Sequence, residues 1–261
     1  MEKTPPSLFD LTGQVAIVTG ASRGIGAAIV GAFAQAGARV VLAGRKIEPL
    51  EAVAEQIRQG GGEALAVACH TGRKAETEAL VARAEEAFGG VDVLVNNAAT
   101  SPHFGPLLEA EESHWDKTFE VNVKGYVYMV QACVPRMRRR GGGRIVNVAS
   151  VAGMVPHTGL GVYGVTKAAV LMLTKTIALD LAADNIRVNA IAPGLIQTRF
   201  SEALWASPEM KEKALASIPQ HRLGQTEDLV GAVLYLASEA SRFTTGSVLV
   251  IDGGQTLGGA Y

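Results

Sequence analysis

The amino-acid sequence predicts an α/β protein with a doubly wound, seven-stranded parallel sheet and helices on both faces. The first observation is a set of short runs that are almost wholly apolar, as strands buried on both faces of a sheet must be. The second is that helix-length amphipathic segments separate these runs, as a parallel sheet with right-handed crossovers requires. The predicted strands are 14–20, 38–44, 63–69, 91–97, 143–150, 186–194 and 246–254.

Amphipathic segments fill the intervals between the strands, and we predict about six helices. Several have glycine at the C-terminal side, where the backbone leaves the helix. A dense basic run, 136–144, closes one helix, where cations suit the negative end of the helix dipole. We interpret this run as a solvated helix end, with an acidic partner such as an acyl carrier protein as the alternative. The clearest helical segments are 26–38, 48–59, 74–89, 161–182 and 227–239.

The composition is typical of a compact α/β enzyme. Thirty of the 261 residues are glycine and 48% are hydrophobic. A net charge of −1 gives the chain no overall field that would recruit nucleic acid or an anionic membrane. Cys69 and Cys133 lie far apart, in a strand end and a helix, which argues against a disulfide. The histidines include no pair at metal-ligand spacing, so we expect no metal site.

We predict one domain, 1–261, because no linker, composition shift or repeat divides the chain. The first ten residues contain an acid and a Pro-Pro pair but no continuous apolar stretch, so we expect neither a signal peptide nor a membrane span. We assign 1–12 to an N-terminal arm and 254–261 to a tail. Two long irregular segments, 99–115 and 199–224, follow strand C-termini, the edge where open α/β sheets bind ligands. We expect 199–224 to form a substrate lid.

A glycine-rich turn, "TGASRGIG" at 19–26, follows the first strand and opens a helix. Its order is G-x-x-x-G-x-G and not the commoner G-x-G-x-x-G. Both orders permit a tight turn and let the backbone at a helix N-terminus approach a diphosphate. We therefore predict a dinucleotide-binding loop, whose candidate residues are Gly20, Ser22, Arg23, Gly24, Ile25 and Gly26.

Tyr163 and Lys167 lie one turn apart in the longest predicted helix, so they share a face. Lowering the pKa of a phenol from near 10 to about 7 takes roughly 4 kcal/mol, which an ammonium about 4 Å away supplies at an effective dielectric near 20. We therefore expect Lys167 to lower the pKa of Tyr163 and make it a proton donor and acceptor. Ser150 ends the fifth strand at the same edge, where its hydroxyl can hydrogen-bond a carbonyl oxygen.

Six motifs in order make the chain similar to the short-chain dehydrogenase/reductase family. They are "TGASRGIG", "NNAA" at 96–99, "VNVKG" at 121–125, "VASVAG" at 148–153, "YGVTK" at 163–167 and "APG" at 192–194. The resemblance spans residues 10 to 254, nearly the whole chain, and implies a single Rossmann-type domain, a nicotinamide cofactor and a homotetramer.

The resemblance also implies a catalytic tetrad, which falls on Asn122, Ser150, Tyr163 and Lys167. Ser150 and Tyr163 would bind the substrate oxygen, and Tyr163 would donate its proton as hydride arrives from the nicotinamide. Lys167 would also bind the nicotinamide ribose. Asn122 would hold a water that links Lys167 to a proton relay, with simple bonding to helix backbone as the alternative.

Further cofactor contacts follow from the same resemblance. They are Asn97, Ala98 and Ala99 near the adenosine ribose, His70 and Thr71 near the adenine, and Pro193, Gly194, Ile196 and Thr198 around the nicotinamide carboxamide, in addition to Tyr163 and Lys167. Two positions depart from the family pattern. Ala99 stands where the family usually has glycine, and His70-Thr71 stands where many members have an acid that meets the adenine amino group.

The stretch "VVLAGRK" at 40–46 ends the second strand, where an acid that binds the ribose of NAD is expected. Gly44 occupies that position and offers no acceptor. Arg45 can bind a 2′-phosphate as a fork, with Lys46 beside it and Arg23 approaching from the glycine loop. We therefore predict that NADP(H) is preferred over NAD(H). The alternative is that Arg45 and Lys46 only cap an exposed turn.

The candidate substrate contacts lie in the two loops that follow the catalytic strands. Phe200, Leu204 and Trp205 fall at a predicted helix start in 199–224, and they would cover an apolar substrate or else pack on the sheet. His157 lies between Ser150 and Tyr163, where it would reach the pocket or else be an exposed loop histidine.

A closer resemblance is carried by "CHTG", "NNAATSPHFG", "APGLIQTRFSEALW" and "HRLGQTED". These segments are similar to NADPH-dependent carbonyl reductases also described as retinol dehydrogenase/reductases, whose animal members are peroxisomal tetramers. The chain ends "GGAY" and not in the small-basic-leucine import tripeptide, so we expect a cytoplasmic protein.

We therefore predict an enzyme that reduces ketones or aldehydes with NADPH. The alternatives are an NAD-dependent dehydrogenase of a sugar, sterol or secondary alcohol, a 3-oxoacyl-thioester reductase, and a dinucleotide sensor without turnover. An intact set of Ser150, Tyr163 and Lys167 argues against a sensor, because a sensor has no use for a poised phenol.

Overall fold

One parallel sheet of seven strands runs through the computed structural model, which describes residues 8–258, in the order β3-β2-β1-β4-β5-β6-β7. The predicted arm, 1–12, and tail, 254–261, therefore lie partly outside the described residues. The sequence prediction of a seven-stranded parallel sheet is confirmed. The strands are β1 Val15–Thr19, β2 Arg39–Gly44, β3 Ala64–Ala68, β4 Val93–Asn96, β5 Gly143–Val148, β6 Ile186–Pro193 and β7 Val248–Ile251.

Eight α-helices surround the sheet in the described part of the chain, where about six were expected from the strand-helix alternation. They are α1 Gly24–Gln35, α2 Ile47–Gln59, α3 Lys74–Phe88, α4 Glu112–Phe119, α5 Gly125–Arg139, α6 Gly161–Leu181, α7 Pro208–Ala216 and α8 Glu227–Ala237. A π-helical turn, Glu120–Lys124, joins α4 to α5.

The two additional helices lie in segments that the sequence predicted to be irregular. Helix α4 begins inside 99–115 with a capping box, in which the side chain of Glu111 and that of His114 exchange hydrogen bonds with backbone N–H groups. Helix α7 lies inside 199–224, where Ser207 accepts a hydrogen bond from the Met210 N–H and Pro208 starts the first turn. Both capping motifs favour a helix start, although the apolar periodicity of these two segments was too weak to predict a helix.

Alternate residues of each strand enter two hydrophobic layers, one on either side of the sheet. On β1, Ala16 and Val18 pack in the layer that includes α1 and α8. Val15 and Ile17 point the other way, into the layer that includes α3 and α5. Because both faces are filled by apolar side chains, polar residues that serve a site must come from the strand ends.

The strand order reverses at β1, which pairs with β2 on one side and with β4 on the other. The chain builds outward from β1 to β3, crosses back to β4, and then builds outward to β7. Successive crossovers therefore leave a crevice beside the carboxyl ends of β1 and β4. This crevice is where doubly wound sheets bind ligands.

The predicted basic run, 136–144, is bound by carboxylates of the same chain. Arg136 and Arg139 both pair with Glu85, and the other arginines of the run have one partner each, Arg138 with Asp184, Arg140 with Asp92 and Arg144 with Glu239. Helix α5 ends at Arg139, as the cap interpretation requires. These internal partners account for the run without an external acidic protein.

Helix α6 and the turn that follows, Gly161–Asp184, are long and apolar enough to cross a membrane by length and composition alone, with a mean hydropathy of 1.3. In this fold the helix packs against β6, and its polar residues Thr166, Lys167 and Thr174 are buried. A core helix of a globular domain passes the same hydropathy test.

We predict that Asp92→Ala lowers the free energy of unfolding by about 2–3 kcal/mol. The Asp92 carboxylate is buried, accepts a hydrogen bond of 2.7 Å from the Val15 N–H and pairs with Arg140, so the substitution leaves a buried donor and a cation without partners. The control is Asp184→Ala, whose partner Arg138 is largely exposed and which should lose less than about 1 kcal/mol. Equal losses in urea unfolding would contradict this account.

Candidate active site

The glycine loop wraps the N-terminus of α1 as an anion site requires. Gly24 has a φ of +56°, which favours glycine, and a side chain at Gly26 would place its Cβ 2.7 Å from the Asn97 amide nitrogen. Arg23 precedes the helix in an extended conformation, and no side chain caps the first turn, which also contains no acid. The first-turn N–H groups are therefore directed at a negative ligand, and a dinucleotide diphosphate fits this cradle.

The sequence prediction placed Asn97, Ala98 and Ala99 beside the cofactor. The Asn97 side chain instead donates to the carbonyl of Thr19 at 2.8 Å, and the Thr19 hydroxyl accepts from the N–H groups of Asn97 and Ala98. The physical reason is that the end of β4 must be tied to the end of β1 to shape the glycine loop. The Asn97 side chain therefore holds the glycine loop, Ala98 and Ala99 are half-buried, and contact of these three residues with a cofactor stays a prediction.

Three cationic residues lie in the two segments that meet at the end of β2. The Ala21 N–H donates to the Ala43 carbonyl at 3.1 Å, which holds the glycine loop against this strand end. Arg23, Arg45 and Lys46 are exposed there, and within residues 8–258 none of them is in an ion pair with a carboxylate. Gly44 contributes no side chain, so this end of the crevice is positively charged and has no acid at the strand tip.

His70 and Thr71 follow β3 at the same edge. The His70 ring accepts from the Gly72 N–H at 3.2 Å through Nδ1 and faces Lys117 Nζ at 3.1 Å through Nε2. Burial, and then the charge of Lys117, lower the pKa of His70. Thr71 is buried against Gly125, at the start of α5. Both residues lie at the predicted edge, but the His70 ring is already held by protein groups.

Ser150 and Tyr163 meet at the carboxyl end of β5. Ser150 is extended, and its hydroxyl accepts from the Ala152 N–H at 3.1 Å, which fixes the oxygen at the start of a short 3-10 turn, Val151–Gly153. Tyr163 lies in the first turn of α6 and is hydrogen-bonded by Ser150. The two hydroxyls can therefore bind one substrate oxygen.

Lys167 is almost fully buried, with 1% of its surface exposed. Its Nζ donates to the Val148 carbonyl at 2.6 Å and to the Tyr126 hydroxyl at 3.3 Å. The same Nζ lies 5.5 Å from the centroid of the Tyr163 ring. An ammonium has three hydrogens, so one remains for a ligand in the crevice.

The expected lowering of the Tyr163 pKa by Lys167 is wrong for the ligand-free protein. Burial raises the pKa of Tyr163 to about 12, although the hydrogen bond from Ser150 acts in the opposite direction. Burial also lowers the pKa of Lys167 to about 7. The physical reason is that both groups lose hydration together, so the neutral form of each is favoured. Lys167 also directs its donors to Val148 and Tyr126.

Asn122 lies in the π-helical turn and is fully buried. Its side chain accepts from the Thr100 N–H at 2.8 Å, donates to the Thr100 carbonyl at 3.0 Å and donates to the Thr166 hydroxyl at 3.1 Å. These bonds join the loop after β4 to α6. The backbone that Asn122 bonds is that of a loop and not of a helix, so these bonds differ from the helix-backbone alternative, and a water at Asn122 stays a prediction.

Phe200 covers Tyr163. The two ring centroids are 5.7 Å apart with an interplanar angle of 48°, and 54% of the Phe200 surface remains exposed. The predicted helix start at 200–205 is wrong, because this segment forms turns and a 3-10 helix, Glu202–Leu204. Its conformation depends on Ser201, whose hydroxyl accepts from the Trp205 indole at 3.1 Å.

The segment after β6 closes over the glycine loop, as its predicted cofactor role requires. Pro193 ends β6, and Gly194 lies so close to Asp252 that a Cβ there would be 2.7 Å from its Cα. Ile196 is buried. The Thr198 methyl would lie 3.5 Å from a Cβ at Gly24, so the two loops face each other across a narrow gap.

His157 lies between Ser150 and α6, and its Nε2 is buried without a hydrogen-bond partner in the described residues. Burial lowers the pKa of His157, so the ring is neutral near neutral pH. The preceding loop packs against this segment, with Phe104 beside Gly159. His157 is therefore half-buried and not fully exposed, and its contact with a substrate stays a prediction.

Neither cysteine takes part in the site. Cys69 and Cys133 are buried free thiols, and burial raises the pKa of each to about 12. Within residues 8–258 no group of three or more His, Cys, Asp or Glu side chains is placed to hold a metal ion.

Sequence reasoning missed Tyr126. This residue is fully buried, and its hydroxyl donates to the Val148 carbonyl at 3.1 Å while it accepts from Lys167. A signal was present, because Tyr126 follows Asn122 by four residues and therefore lies on the same helix face. The contact with Lys167 spans two helices that only the fold brings together.

Comparison with known proteins agrees with this geometry. A family model described as enoyl-(acyl carrier protein) reductase matches residues 20–256. Dehydrogenase/reductase SDR family member 4 of Oryctolagus cuniculus is 44% identical over 244 residues, which cover 94% of this chain and 94% of the relative.

Two solved structures extend the comparison to ligands. Gluconate 5-dehydrogenase from Burkholderia cenocepacia, in complex with NADP and tartrate, aligns with a TM-score of 0.94 and 34% identity, covering 98% of this chain and all of that one. A 7α-hydroxysteroid dehydrogenase with NADH and 7-oxo glycochenodeoxycholic acid aligns with a TM-score of 0.90 and 36% identity, covering 94% and 95%. These neighbours confirm the Rossmann-type fold, and between them they bind both forms of the nicotinamide dinucleotide.

We predict that the ligand-free protein becomes more stable as pH rises above about 7, because of Lys167. The pKa of Lys167 is about 7 when folded and roughly 10.4 when unfolded, so the unfolded state binds more protons in this window. The free energy of unfolding of the wild type, minus that of Lys167→Met, should rise by roughly 2 kcal/mol from about pH 7 to pH 9. A difference that stays constant with pH in urea unfolding would contradict the burial account.

Proposed function

The chain belongs to the short-chain dehydrogenase/reductase family of oxidoreductases, and on that premise we propose that it reduces ketones or aldehydes to alcohols with NADPH. The observation that carries the proposal is the meeting of Ser150, Tyr163 and Lys167 at the carboxyl end of β5. These residues combine hydrogen-bond donors for a carbonyl oxygen with a transferable proton.

The nicotinamide cofactor supplies the hydride in this reaction. Ser150 and Tyr163 hydrogen-bond the carbonyl oxygen, which orients the substrate and stabilises the negative charge that develops on that oxygen. Tyr163 then gives its phenolic proton to the oxygen. Burial raises the Tyr163 pKa to about 12, so the phenol is protonated at neutral pH, which is the state that a general acid requires.

The charge distribution at the end of β2 supports NADP(H). Arg23, Arg45 and Lys46 lack carboxylate partners among the described residues, and an anion with two charges would offset most of their positive charge. A ribose 2′-phosphate reaches this position when the diphosphate lies at α1. The 2′-hydroxyl of NAD would instead find no acceptor on Gly44.

The surroundings of Tyr163 support an apolar carbonyl substrate. Phe200 lies against the Tyr163 ring, and Phe104, Met154 and Val155 are exposed on the loops beside it. A substrate with an aromatic or aliphatic group would bury this surface. We propose that residues 199–224 act as the substrate lid, with Leu204, Trp205 and His157 completing the pocket.

We further propose that the protein is a cytoplasmic homotetramer. Support for self-association comes from α6, where Val165, Met172 and Leu179 are exposed at intervals of seven residues and so form one apolar stripe. A second copy of the chain would cover this stripe.

We predict that Tyr163→Phe lowers kcat for carbonyl reduction with NADPH by about 100-fold or more, because the general acid is removed. The dissociation constant of NADPH, measured by fluorescence titration, should change by less than about threefold, since the phenol does not form the diphosphate cradle. Tyr128→Phe is the matched control, as it removes a phenol from α5 without touching the site. Near-normal turnover in Tyr163→Phe would overturn the assignment.

We predict that Arg45→Asp reverses cofactor preference. The ratio of kcat/KM for NADPH to that for NADH should fall by about 10- to 100-fold, because a charge-assisted contact to the 2′-phosphate becomes a repulsion. Arg242→Asp is the control, with the same change of charge near the amino end of β7. Steady-state rates against a panel of carbonyl compounds provide the measurement.

The same panel separates the rival functions. A preference for NADH in the wild type would favour a dehydrogenase of sugars, sterols or secondary alcohols. Tight NADPH binding with no turnover of any carbonyl would indicate a dinucleotide sensor.

A further inference from the structure

Tyr126 is the titratable group closest to the amine of Lys167 in the described structure. Its hydroxyl lies 3.3 Å from Lys167 Nζ, and the Nζ lies 5.3 Å from the centroid of its ring. Only 1% of the Tyr126 surface is exposed. A phenol buried at this point is costly unless its hydroxyl is satisfied, and here the hydroxyl both donates to Val148 and accepts from Lys167.

The three groups form a closed triangle. Val148 on β5 offers one carbonyl, which accepts from Tyr126 at 3.1 Å and from Lys167 at 2.6 Å. The phenol then uses its oxygen to accept from the lysine. Two of the three ammonium hydrogens are therefore bonded, one to the Val148 carbonyl and one to the Tyr126 hydroxyl. Together these two bonds hold the end of the lysine side chain in one position.

No carboxylate within the described residues pairs with Lys167, so its charge has no direct counterion. Tyr163 on the same helix is the other titratable group in contact with it. The charged groups on the elements packed around Lys167 either have other partners or are exposed. Glu120 pairs with Lys117, Arg144 with Glu239, Arg187 with backbone carbonyls and His114 with the Glu111 N–H. Asp116 and Lys124 lie at the surface.

We propose that Tyr126 is a positioning residue of the active site, which holds the Lys167 ammonium beside Tyr163 and supports its charge through the hydroxyl. The hydroxyl oxygen accepts a stronger hydrogen bond from a cation than from a neutral amine. Among the described residues the Tyr126 hydroxyl bonds Val148 and Lys167 and not Tyr163, so we assign its effect on Tyr163 to Lys167. Its hydroxyl takes the place of a carboxylate that would otherwise pair with the Lys167 ammonium.

The first test needs no cofactor and no activity. Free energies of unfolding are measured for the wild type, Tyr126→Phe, Lys167→Met and the double variant at pH 6 and pH 9, on either side of the Lys167 pKa of about 7. Below this pKa the lysine is charged in the folded state. The coupling free energy between Tyr126 and Lys167 from this cycle is converted to an equilibrium constant. We expect that constant to be at least about three times larger at pH 6 than at pH 9.

A cycle with Tyr128→Phe in place of Tyr126→Phe is the matched control, because it removes a half-buried phenol from the same helix. It should show no coupling to Lys167. Coupling that is the same at both pH values would overturn the proposal, since packing alone does not depend on the charge of Lys167.

The second test rests on the proposed function. In Tyr126→Phe, kcat for carbonyl reduction should fall about tenfold, while KM for the carbonyl and the dissociation constant of NADPH stay within about twofold. Tyr128→Phe should keep the wild-type kcat. A wild-type kcat in Tyr126→Phe would overturn the positioning role, whereas absence of turnover in the wild type would contradict the proposed function and leave the unfolding cycle to decide the role of Tyr126.

Discussion

The covering of the central sheet on both faces is the constraint on which the rest of the structure depends. Strands such as β1 place alternate side chains in two apolar layers, so an unpaired polar group at mid-strand would be desolvated without compensation. Asn147, a buried polar residue inside β5, accordingly bonds both Asn96 and Thr174. Polar groups that can contact a ligand therefore lie at the strand ends, where backbone N–H groups and side chains are no longer covered by the core.

Burial also sets the chemistry at that edge. Lys167 and Tyr163 lose water together, which raises the pKa of the phenol to about 12 and lowers that of the amine to about 7. The phenol of Tyr163 is therefore protonated at neutral pH. Val148 and Tyr126 compensate the buried amine, so the position of the lysine is decided by β5 and α5 as much as by its own helix.

The two ends of the crevice differ in charge and polarity. At the β2 end, three cations without carboxylate partners in the described chain await an anion, and electrostatic attraction there is strong because no internal acid competes. At the β5 end, Phe200 and the neighbouring loops present apolar surface around two hydroxyls. The proposed cofactor and substrate contacts thus lie at different ends of the crevice.

The sequence by itself determined the features that depend on local periodicity and short spacing. These are the seven apolar runs, the glycine turn, the motif with Ser150, Tyr163 and Lys167, and the missing acid at Gly44. Only the tertiary structure decided what those residues experience. The pKa of Tyr163 moved in the opposite direction from the expected one, Asn97 turned to the glycine loop, and Tyr126 reached Lys167, since burial and contacts between separate helices are not encoded in spacing along the chain.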